Sequence, residues 1–114
     1  MSAEISFLAP ELQRLDMLIL QAEREYTLAA YSRAFAALEH LPQDDPAVIF
    51  RRAGITHAVA ELRGDVEMLR RAIGEYELAW RSGVLPRDVA RIMPDLIEEC
   101  YEQLAEAEKH PFRA

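Results

Sequence analysis

Apolar residues recur along this chain at spacings of three and four, and glycine and proline divide that pattern into helix-sized blocks. β-branched and aromatic residues never alternate over a useful length, so no strand is expected. Pro10 can sit in the first turn of a helix, where its missing N–H costs nothing; Leu12, Leu15, Ile19, Ala22 and Tyr26 then follow in register. This predicts a first helix over about residues 10–24. A second, over about residues 27–41, carries Ala30, Tyr31, Ala34, Ala37, Leu38 and Leu41 and stops at Pro42. Asp45 before Pro46 is an N-cap and first-turn pair for a third helix, which Gly64 ends near Arg63.

Asp65 caps a fourth helix, predicted from Val66 to Ser82, with Leu69, Ala72, Ile73, Tyr76, Ala79 and Trp80 facing inward and Gly83 as its stop. The last block begins at Pro86, and Pro94 is expected to divide it into a short turn over 87–93 and a final helix over 94–108. Met93, Leu96, Ile97, Cys100, Tyr101 and Leu104 form its apolar stripe, with acidic residues on the opposite side. The connections are short, so successive helices should lie antiparallel. The expected fold is all-α, about five helices in one domain: a first hairpin over residues 10–41, a second over 46–82, and a capping helix over 86–109.

The stretch AAYSRAFAALEHLPQDDP resembles the second helix of a tetratricopeptide repeat, which runs Ala, a large residue, Ala-Leu and a closing proline; here these are Ala30, Ala34, Ala37-Leu38 and Pro42. GDVEMLRRAIGEYELAW is similar to the same element, with Gly64-Asp65 at the turn, Ala72-Ile73, Tyr76 and Ala79. Phe50 and Ala53-Gly54 stand where that family has its Trp and Leu-Gly. The resemblance implies that the small residues Ala30, Ala37, Gly54, Ala72 and Ala79 are points of close helix approach, while Leu38, Tyr76 and Trp80 fill grooves. It also implies a protein-binding role and a terminal helix that covers the second hairpin.

Charge narrows the partners. Acidic residues outnumber basic ones 20 to 13, for a net charge of −7, so neither nucleic acid nor an anionic membrane is an expected partner. The first twenty residues have no positively charged start, and Glu11, Arg14 and Asp16 interrupt the apolar run, so neither a signal peptide nor a span is expected. With one cysteine and no disulfide possible within the chain, a cytoplasmic location is expected.

Chemistry is sparse. A di-metal carboxylate site needs Glu-x-x-His pairs, but the residues three before His40, His57 and His110 are Ala37, Gly54 and Ala107. His57 and Glu61 form an i, i+4 pair without a second such pair, which points to a hydrogen bond rather than a metal site. Cys100 lies on an apolar stripe with no base beside it in sequence. No glycine-rich phosphate loop is present. The expectation is a non-enzymatic interaction module, an adaptor, chaperone-like protein or assembly factor, with no cofactor and no metal.

Two surfaces are candidates for binding a protein or peptide. The first helix holds more apolar residues than one face can bury, which makes Leu12, Met17 and Leu20 candidates for a partner helix or for a homodimer, unless residues 5–9 fold back over them. Arg51, Arg52, Arg70 and Arg71, with Arg63, cluster around the second hairpin and could hold an acidic peptide, or simply pair with acids of the chain itself. Repeat proteins that clamp a terminal carboxylate use Lys, Arg and Asn together; a chain with no Asn and one distal Lys does not carry that mode. A homodimeric bundle and an accessory enzyme subunit are the alternative readings.

Overall fold

Asp45 accepts the backbone N–H of Ala47, Pro46 follows at the first helical position, and Gly64 closes the same helix with a left-handed φ of 64°. That helix runs Pro46–Arg63, as its punctuation implies. It is the third of five in the computed structural model, which describes residues 2–109 and the side chains of residues 10–109. The order is α1 (Ser2–Glu25), α2 (Leu28–Leu38), α3 (Pro46–Arg63), α4 (Val66–Arg81) and α5 (Arg87–Lys109), with no strand among the described residues.

Each helix packs on the next, and the α3–α4 pair makes the most extensive contact. Directions follow from the cross-links. Tyr101 meets Glu77 while Glu108 meets Arg70, so α4 and α5 run antiparallel. Two apolar clusters share α3. One joins Leu15 and Ala22 of α1 to Tyr31 and Leu38 of α2 and to Val48 and Ile55 of α3. The other joins Ala53 and Ala60 to Leu69, Ile73 and Tyr76 of α4 and to Met93, Ile97 and Cys100 of α5. Opposite faces of α3 thus serve the two clusters, which fits a helix between two neighbours. Ala30, Ala34, Ala72 and Ala79 are buried and Ala37 packs against the first cluster, so the small residues do lie at helix contacts.

Five expectations are corrected. α1 starts at Ser2 and not at Pro10, which lies inside it; proline removes one helical hydrogen bond without ending the helix. Residues 5–9 therefore continue α1 as backbone, and their side chains, Leu8 included, lie outside the described residues. Pro94 likewise sits within a continuous α5: it faces solvent, while Met93 and Ile97 on either side of it are buried in one cluster and hold the two segments in line. Trp80 does not face inward; it is 41% exposed, because the neighbouring Ala79 takes the inward position. Tyr101 and Tyr26, placed on inward stripes, are also exposed. Tyr26 leaves α1 with a left-handed φ of 52° and lies edge-on to Tyr31 at 6.4 Å between ring centres.

Candidate functional site

A polar chain crosses the second cluster. His57 occupies α3 between Ala53 and Ala60, both buried, so its ring points at α4 and α5. Its Nε2 lies 2.7 Å from Oε1 of Gln103 and its Nδ1 lies 3.3 Å from the Tyr76 hydroxyl. Gln103 Nε2 in turn donates to Glu61 Oε2 at 3.1 Å. The carboxylate acceptor sets the sense of the whole chain. Gln103 must turn its NH2 toward Glu61, so its carbonyl oxygen accepts from His57 Nε2–H. On a ring that carries its one hydrogen at Nε2, Nδ1 is then the acceptor for the Tyr76 hydroxyl. Three helices are joined by one directional run of hydrogen bonds.

Cys100 Sγ stands 3.8 Å from both ring nitrogens of His57. The structure therefore places an imidazole beside the thiol, but both ring nitrogens are already engaged, by Gln103 and Tyr76. The ring does not activate it. Burial, with the Glu99 and Glu61 charges, pushes the Cys100 thiol up to about 11, and the side chain is fully buried. Burial also raises the Tyr76 phenol well above its ordinary value, reinforced by the carboxylates of Glu61, Glu75 and Glu99 and, once it ionises, by Cys100. Both groups stay protonated at neutral pH, and the cluster works as a polar tie. His57 and Glu61 approach only to 3.8 Å, since Gln103 fills the place between them. No set of three His, Cys, Asp or Glu residues is placed to hold a metal ion among the described residues, and no described helix is long and apolar enough to cross a membrane.

The arginines are largely used within the chain. Arg51 grips Asp16 of α1 with two hydrogen bonds of 2.6 and 2.9 Å, and also donates to the Ala47 carbonyl. Arg52 meets Glu75 at 2.6 Å and the Gln43 side chain at 2.8 Å. Arg70 bridges Glu67 and Glu108. Arg71 alone of the four is exposed without an ion pair among the described residues. Leu12 is half-buried against the first cluster, so of the apolar candidates on α1 only Met17 and Leu20 are open, 73% and 50% exposed. Gly54 faces Tyr76, whose hydroxyl would lie 3.8 Å from an added Cβ, and Gly64 serves the turn.

A shallow groove of about 490 Å³ lies where the α2–α3 loop and the start of α3 meet the end of α4, lined chiefly by Pro46, Ile49, Arg52, Leu78 and Arg81. Sequence reasoning missed both it and the His57 chain. The groove left no sequence signal; His57 and Gln103 did, as polar residues on otherwise apolar stripes. No protein-family model matches the chain, and no match was found among curated proteins or solved structures. The described residues form an all-helical protein of five packed helices.

Proposed function

We propose that this protein is a non-enzymatic interaction module of tetratricopeptide-like build, which binds another protein through the open face of α1. The observation that carries the reading is the exposure of Met17 and Leu20 on adjacent turns of α1, while Leu15 and Ala22 of the same helix are in the core. An amphipathic helix presenting apolar residues one turn apart would cover them. The order of helices, each packed on its neighbour in sequence, supports a repeat-like build, as do the alanines at the contacts.

The experiment is affinity capture of the tagged protein from its own cells, beside a Met17→Glu, Leu20→Glu double variant with unchanged circular dichroism and melting temperature. A stoichiometric partner held by the parent and lost by the variant is the expected result. Concentration-dependent sedimentation that the variant abolishes would replace the external partner with a second copy. Equal capture by both proteins, or substrate turnover by the isolated chain, would overturn the reading.

A further inference from the structure

The α3–α4 groove has an apolar floor with a guanidinium at each end. Ile49 of α3 and Leu78 of α4 form the floor; Ile49 is buried and Leu78 is 53% exposed, although it lines a concave site. Glu75, Leu78 and Arg81 stand on successive turns of α4. Arg52, which holds Glu75, therefore sits one turn to one side of Leu78, and Arg81 one turn to the other. The two arginines differ in state. Arg52 is neutralised by Glu75 at 2.6 Å. Arg81 donates its Nε to the Glu77 carbonyl at 3.3 Å and its charge acts on Tyr101, which is bonded to the Glu77 carboxylate, but it forms no ion pair among the described residues. The remaining polar lining groups are mostly committed: Gln43 donates to the Leu38 and Leu41 carbonyls and accepts from Arg52, and the Ser82 hydroxyl donates to the Ala79 carbonyl. Asp44, the one acid of the lining, forms no ion pair with either arginine.

An apolar seat beside an unpaired guanidinium is complementary to an aliphatic side chain followed closely by a carboxylate. We propose that this groove is a second binding site, taking an apolar, acidic segment of a partner protein, its aliphatic side chain on Ile49 and Leu78 and its carboxylate on Arg81. The site uses none of α1, so it stands or falls separately from the reading of Met17 and Leu20.

The test is a nuclear magnetic resonance titration of the full chain, isotopically labelled, with the blocked tetrapeptide acetyl-Leu-Glu-Leu-Glu-amide and with its isostere acetyl-Leu-Gln-Leu-Gln-amide. The acidic peptide is expected to move the signals of Ile49, Leu78 and Arg81, and to weaken about tenfold for Arg81→Gln, the loss of one charge-assisted hydrogen bond. Leu78→Gln, on an exposed position that leaves the core intact, should weaken it too. Shifts of equal size with both peptides, unchanged binding by either variant, or no movement at the groove would each overturn the proposal.

Discussion

Gln103 Oε1 sits 2.7 Å from His57 Nε2, and that contact ties the last helix to the middle of α3. The imidazole is only 14% exposed, so removing its acceptor leaves an N–H that water reaches poorly. Gln103→Leu is therefore expected to cost about 1–2 kcal/mol. His57→Leu alone should cost a similar amount, and the double variant less than the sum, with a coupling of about 1 kcal/mol. Urea unfolding of the four proteins measures this, provided the slopes agree. Strict additivity would mean the two side chains do not act together.

Glycine gives a matched pair of expectations. A Cβ at Gly74 meets nothing within 4 Å, and the residue lies exposed in the interior of α4. Gly74→Ala should stabilise the protein by about 0.5–1 kcal/mol, because alanine surrenders less backbone freedom on folding. Gly64 also has open space around it, yet its φ of 64° closes α3. Gly64→Ala should destabilise by about 1–2 kcal/mol through the left-handed backbone alone. Melting temperatures of opposite sign for the two variants are the check.

Pro94 offers the largest gain. A proline inside a helix costs up to about 3 kcal/mol through a missing hydrogen bond and a clash with the preceding turn. Its side chain is exposed and supports no core contact, so Pro94→Ala should recover much of that amount. Denaturant midpoints settle it. An unchanged or lowered midpoint would show that the proline shapes α5 to fit α4.

These positions also mark where the sequence was legible. Both ends of α3 are legible because Asp45-Pro46 and Gly64 act locally, Asp45 through its side chain and Pro46 and Gly64 through their own backbones. Pro94 does not end α5 because a proline is a local penalty that burial on both sides, at Met93 and Ile97, can outweigh, and Pro10 lies inside α1 because one missing hydrogen bond does not end a helix. Trp80 differs for another reason: apolar character does not give direction, and the helical angle assigns the inward place to Ala79. The arginines were placed on the right hairpin, but their partners, Asp16, Glu75 and Glu108, come from other helices. Contacts between residues 35 or 46 positions apart depend on how the helices stack. Such pairs have no expression in local spacing.

Cys100 carries the pH prediction. An unfolded thiol loses its proton near the ordinary value of 9.0, whereas in the folded protein it holds it to about 11. Below the first value both states are protonated, and the stabilising contribution is complete. Between the two, the unfolded chain releases a proton that the folded chain retains, so stability falls as pH rises and the contribution is lost by the upper value. The shift corresponds to about 2–3 kcal/mol. Tyr76 is raised by burial in the same direction and adds to the loss at higher pH, so the parent protein alone does not isolate the cysteine. Cys100→Ala does: it imposes a constant packing cost at every pH and removes only the thiol's share of the alkaline slope. Unfolding free energies of parent and variant should therefore differ most near neutral pH and draw together above about pH 10. Parallel curves across that range would show that the thiol titrates alike in the folded and unfolded chain.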